Sequence, residues 1–108
     1  MRTVLARTPS MAARMFTEAE RTYAEAARDP AERYAVRFAA KEAVLKALGV
    51  GMGAADWQDI EVLRNGTGAP ELRITGRAEA LAREAGVSSW KLTMTHTATL
   101  AEAIAVAL

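Results

Sequence analysis

A helix bracketed by its own start and stop signals sets what this chain can fold into. Asp29-Pro30-Ala31-Glu32 opens it, with Asp29 as cap, Pro30 at the first helical position and Glu32 in the first turn. Gly49 supplies the stop, so the helix is expected to end near Leu48 and to be the longest in the chain. Tyr34, Phe38, Leu45 and Leu48 recur at helical spacing and should face a core. With only 108 residues, the rest of the chain must be arranged around this one rod.

Other segments take their places about it. Thr17-Glu18-Ala19-Glu20 is a capping box and predicts a shorter helix to about residue 27. Beyond the Gly49-Val50-Gly51-Met52-Gly53 run the hydrophobic period changes to two. Ile60 and Val62 alternate with Asp59, Glu61 and Leu63, and Leu72 and Ile74 with Glu71 and Arg73. Asn65-Gly66-Thr67-Gly68 is turn chemistry between them, so a hairpin of roughly 58–64 and 70–75 is expected. A helix from about Arg77 to Ala85 follows, stopped by Gly86. Trp90, Leu92 and Met94 then alternate with polar residues as a strand and are expected in the core. The last segment fits a helix through Leu100, Ile104 and Leu108, or a strand through Ile104, Val106 and Leu108, and periodicity does not decide. Trp57 is expected to pack near the hairpin. The order is that of an α+β fold, not an alternating parallel one.

Composition narrows the function. A net charge of +1 offers no field to gather nucleic acid or membranes. There is no cysteine, so disulfides and thiolate metal sites are excluded. A single histidine, His96, rules out a multi-histidine metal site within one chain. No apolar run approaches the ~18 residues that suggest a membrane span. A cytoplasmic location is the default expectation.

The densest chemistry lies in Arg37-Phe38-Ala39-Ala40-Lys41-Glu42-Ala43-Val44-Leu45-Lys46-Ala47. Glu42 and Lys46 are four apart and share a helix face, with Ala35, Ala39 and Ala43 beside them. Small neighbours would let a bulky ligand reach a carboxylate and an ammonium together. A carboxylate suits a hard cation and a lysine suits phosphate. An ordinary solvated Glu–Lys pair, worth ~0.2–0.5 kcal/mol, has the same spacing. Spacing alone favours that plainer account.

The run Arg37 to Ala47, continued by Leu48-Gly49-Val50-Gly51, resembles the signature of the holo-acyl-carrier-protein synthase family, a branch of the 4′-phosphopantetheinyl transferases. The segments 15–20, 59–62, 68–70 and 93–97 resemble further family segments in the same order. The resemblance implies a long helix on a small, mostly antiparallel sheet. It implies Mg²⁺-dependent transfer of 4′-phosphopantetheine from coenzyme A to a serine of an acyl carrier protein, as in fatty acid biosynthesis, leaving adenosine 3′,5′-bisphosphate. It also implies a homotrimer with active sites between subunits. By position, Glu42 would be a Mg²⁺ ligand and Lys46 would contact the pyrophosphate. Arg37 would help hold the nucleotide region, and Gly49 and Gly51 would form a turn over the ligand. His96 and Thr97 would reach coenzyme A from the neighbouring subunit. Arg2, Arg7 and Arg14 would mark a surface for an acidic carrier protein, or serve as ordinary solvated arginines.

Two departures qualify the resemblance. Family members begin with a Gly-x-Asp strand whose aspartate is a second Mg²⁺ ligand, and no aspartate here precedes Asp29. The single domain, residues 1–108, is therefore expected to be N-terminally incomplete, with a strand missing from the sheet. Ala69 stands where the family usually has Lys or Arg, which should weaken contact with coenzyme A. A catalytically impaired module that binds coenzyme A or carrier protein is the alternative expectation.

Overall fold

The structure is a computed structural model that describes residues 9–96 and 101–108. Its elements are α1 (Pro9–Met15), α2 (Glu18–Glu25), α3 (Pro30–Ala47), a 3₁₀ turn (Trp57–Asp59), β1 (Ile60–Arg64), β2 (Pro70–Ile74), α4 (Gly76–Glu84), β3 (Trp90–His96) and β4 (Ala101–Ala107). The order is α+β, as expected. The strands form two antiparallel hairpins, β1–β2 and β3–β4, with β2 packed near β3.

The long helix forms where its signals place it, but its start differs in detail. Asp29 occupies the cap position with φ −122° and ψ 89°, and its side chain makes no capping hydrogen bond. Proline at the first turn, with its preset φ and missing donor, starts the helix regardless. The stop is a Schellman motif. Gly49 takes φ +72°, its N–H bonds the Lys46 carbonyl at 3.0 Å, and the Val50 N–H bonds the Leu45 carbonyl at 3.0 Å. The same motif ends α4 at Gly86, φ +78°.

The capping box at α2 is complete. Thr17 Oγ1 accepts from the Glu20 N–H at 3.2 Å, and Glu20 Oε1 accepts from the Thr17 N–H at 3.0 Å. The helix stops at Glu25, short of the expected residue 27. Residues 58 and 59 belong to the 3₁₀ turn, so the first hairpin strand starts at Ile60 instead of 58. Asp56 caps that turn through the Gln58 N–H, which bends the chain before it can pair. Residues 9–15 form a further helix, α1, outside the elements that the sequence pattern predicts, with Pro9 at its first position.

The final segment is a strand. Pairing with β3 decides it, in the register Trp90↔Ala107 through His96↔Ala101. β4 lies along α3. Ala101, Ala103, Ala105 and Ala107 alternate with exposed Glu102, Ile104 and Val106, and Ala105 packs on the core. Alanine on the inner side permits close approach of helix and strand.

Among the described residues two apolar clusters form, and α3 contributes to both. Tyr34 in its first half packs with Ala12, Phe16 and Ala24, and the Phe16 and Tyr34 rings lie 4.8 Å apart. Val44 and Leu45 in its second half pack with Ile60 and Ala78. Phe38 stacks on Trp57 at 5.1 Å, which gives that tryptophan its packing role. Trp90, Leu92 and Met94 are half-buried, less enclosed than a core strand would be.

Candidate functional site

The 3.6-residue repeat sorts the chemistry of α3 onto different sides. Glu42 and Lys46 lie roughly 40° apart around the axis, whereas Arg37 lies roughly 140° from Glu42 and 180° from Lys46. Glu42 is half-buried and Lys46 is exposed. Among the described residues neither side chain makes a hydrogen bond or ion pair, not even with the other. The plainer account of an i,i+4 ion pair therefore does not describe this geometry. A carboxylate and an ammonium share one open face, with half-buried Ala35, Ala39 and Ala43 as small neighbours. Gly49 and Gly51 follow directly and are exposed. The Schellman turn places that loop at the same helix end as Lys46.

The opposite side of α3 is buried and charged. Lys41 is wholly buried and donates to Glu20 Oε1 at 2.8 Å, to the Trp57 carbonyl at 3.0 Å, and to the Ile60 carbonyl. Glu20 Oε2 accepts from the Val62 N–H at 2.9 Å. Burial pushes the Lys41 ammonium below its ordinary range, and Glu20 beside it opposes that shift. Sequence reasoning read Glu20 only as a cap residue and assigned Lys41 nothing. A signal existed: Lys41 sits three and four residues before Val44 and Leu45, on the apolar stripe.

Arg37 is placed differently from Glu42 and Lys46. It is 1% exposed and donates to the Arg33 carbonyl at 3.3 Å, while its Nε has no partner. Its guanidinium lies 4.4 Å from the centre of the Tyr23 ring. Arg33 stacks on the same ring at 3.9 Å and Arg64 at 5.3 Å. Burial, with Arg64 and Arg33 nearby, holds Arg37 below its ordinary range. Sequence reasoning missed this basic cluster, because its members come from α2, α3 and β1.

His96 ends β3, but its side chain and Thr97 lie outside what the structure describes, as do Arg2, Arg7 and the expected gap before Met1. Arg14 is exposed in the last turn of α1. Ala69 is exposed in the hairpin loop between Asn65 and Pro70. An open cavity of about 350 Å³ between β2, α4 and the start of β3 is lined by residues such as Leu72, Ile74, Arg83 and Trp90, and includes none of these site residues.

No three His, Cys, Asp or Glu side chains converge as a metal-binding group among the described residues. A cage made wholly of protein ligands is therefore absent there. Mg²⁺ is commonly held by one or two carboxylates, with water and substrate phosphates completing the shell. A carboxylate without a protein partner, one turn from an exposed ammonium, fits that mode.

The comparisons with known proteins agree with one another. The 4′-phosphopantetheinyl transferase superfamily matches residues 2–107. A holo-[acyl-carrier-protein] synthase of Moorella thermoacetica is 46% identical over 100 residues, covering 93% of this chain and 78% of that protein. A crystal structure of the holo-[acyl-carrier-protein] synthase from Neisseria meningitidis aligns with a TM-score of 0.85 at 30% identity, covering 99% of this chain and 86% of that one. A structure described as the Chronobacterium ammoniagenes ACPS-CoA complex aligns with a TM-score of 0.79 at 27% identity, covering 95% and 84%.

Proposed function

This chain belongs to the holo-acyl-carrier-protein synthases of the 4′-phosphopantetheinyl transferase superfamily, which transfer phosphopantetheine from coenzyme A to acyl carrier protein, and we propose that Glu42 and Lys46 carry that transfer here. The observation that supports this reading is a carboxylate and an ammonium, neither paired among the described residues, on one small-residue face of α3.

In the reaction the serine hydroxyl oxygen of the carrier attacks the phosphorus that bears the pantetheine arm. A new phosphorus–oxygen bond forms, the bond to the adenosine 3′,5′-bisphosphate half breaks, and the serine proton passes to a base. Positioning and charge neutralisation dominate such transfers. Mg²⁺ bound at the pyrophosphate would neutralise charge and stabilise the leaving group. Glu42 would hold that cation, and Glu42 or a water on the cation would be the candidate acceptor of the serine proton. Lys46 adds positive charge beside the diphosphate oxygens, where negative charge grows. The Gly49–Gly51 loop is exposed, and with no side chain at either glycine its backbone could approach a bound ligand closely.

The same reading includes a homotrimer. Ile104, Val106 and Leu108 are 65%, 44% and 53% exposed on the outer side of β4 and its end, an apolar row that suits burial against another copy. His96 and Thr97, at the end of β3, would then serve a neighbour's coenzyme A.

The test is mass spectrometry of an apo carrier protein incubated with this chain, coenzyme A and Mg²⁺. A phosphopantetheine mass gain is expected, falling about 10²-fold or more in rate with Glu42→Gln, a loss typical of removing a group that stabilises developing charge. Coenzyme A binding with no mass gain would favour a non-catalytic module.

A further inference from the structure

Glu42 and Lys46 can meet one ligand only if α3 keeps a fixed rotation about its own axis. Lys41 is adjacent to Glu42 in the chain, and its ammonium reaches three segments: Glu20 on α2, Trp57 in the 3₁₀ turn and Ile60 at the start of β1. An ammonium has three protons to donate, so all three are taken and none is left for a substrate. Lys41 is therefore not a catalytic residue. The Glu20 carboxylate is equally committed: it holds Lys41, the Val62 N–H on β1 and the Thr17 N–H that begins α2. Every bond in this network is directional, and together they fix both the rotation and the height of α3 against its neighbours.

Stability alone is a poor account of the pair. Both side chains are 0% exposed. Taking two charges out of water costs about as much as their attraction returns, and apolar pairs of similar volume often do as well or better. Directional contacts supply what an apolar pair cannot, a single allowed setting of the helix.

We propose that Lys41 and Glu20 are positioning residues for the transfer reaction, locking α3 so that Glu42 and Lys46 present their carboxylate and ammonium to the same phosphates. This inference rests on reading Glu42 as the metal-binding carboxylate. A shift of about 1 Å at a reacting group can cost about 10²-fold in rate.

The test uses the full chain with the neutral, near-isosteric double substitution Glu20→Gln/Lys41→Met, which leaves no lone buried charge. Coenzyme A affinity is measured by calorimetry with Mg²⁺ and with a chelator, beside the Mg²⁺ dependence of transfer. In the chelator, affinity should fall no more than about twofold, because the flexible Lys46 stem can follow a small shift of the helix, whereas a metal-binding carboxylate cannot. The gain in affinity that Mg²⁺ brings should fall about tenfold, and kcat about 10²-fold. Unfolding monitored by circular dichroism checks that the variant is folded. If it is not, Glu20→Gln alone gives the same readout with Lys41 in place. A folded variant that keeps the full Mg²⁺-dependent gain overturns the proposal. Glu42→Gln is run in parallel. If it too keeps that gain, the reading of Glu42 has failed and the proposal falls with it; if only the Glu20 and Lys41 variants keep it, the positioning role alone is refuted.

Discussion

Tyr34 lies in the first core cluster and donates its hydroxyl to Glu25 Oε1 at 2.9 Å. Burial, and then that bond to a carboxylate, pushes its phenol from an ordinary value of 10.0 up to about 12. Folding raises this pKa, so the folded state holds the proton more tightly than the unfolded chain. Its contribution is complete below pH 10.0 and is lost as pH rises toward about 12. Urea unfolding across that window should show stability falling, and Tyr34→Phe should flatten the fall. The residue scale also separates legible chemistry from hidden chemistry. Glu42 and Lys46 could be paired on paper because their partners are four positions apart on one helix. Lys41 could not be paired with Glu20, since the two lie 21 positions apart and meet only through the packing of α2 on α3.

Local chemistry chose the helix starts and ends better than it chose the strands. The Thr17 box formed as read, and the structure adds a tertiary use for it: Thr17 Oγ1 donates to Glu61 Oε2 on β1. Thr17→Ala removes both the cap and that tie. A loss of about 1–2 kcal/mol is expected, measured by urea or thermal unfolding and set mainly by the cap. The Asp29 cap was misread in its mechanism though not in its place, because proline already supplies the start that a cap would provide. The segment 101–107 was ambiguous for a physical reason. Alanine fits a helix and the inner side of a strand alike, so only the partner strand could decide.

For the whole molecule, the alanines of β4 turn its large apolar residues outward. Ile104 faces away from the core, at 65% exposure. Under the homotrimer reading, Ile104→Asp should yield monomers in sedimentation or light scattering while the fold, read by circular dichroism, persists. Transfer activity should fall with the assembly, since His96 and Thr97 would then serve no neighbour. A variant that keeps both its mass and its activity would refute that assembly. No helix among the described residues is long and apolar enough to cross a membrane.

The sequence by itself determined the long helix, its start at Pro30 and its stop at Gly49, because proline and glycine act through their own backbone and need no partner. It also determined that Glu42 and Lys46 share a face, because helical geometry alone relates positions four apart. Tertiary structure decided which face is open and which is buried. It placed Arg37 on Tyr23, and it closed Lys41 on Glu20, Trp57 and Ile60. Those outcomes depend on contacts between segments far apart in the chain, and no local period or propensity records them. What began as a helix with clear ends is, in the folded protein, a helix with one buried charged side and one open charged side.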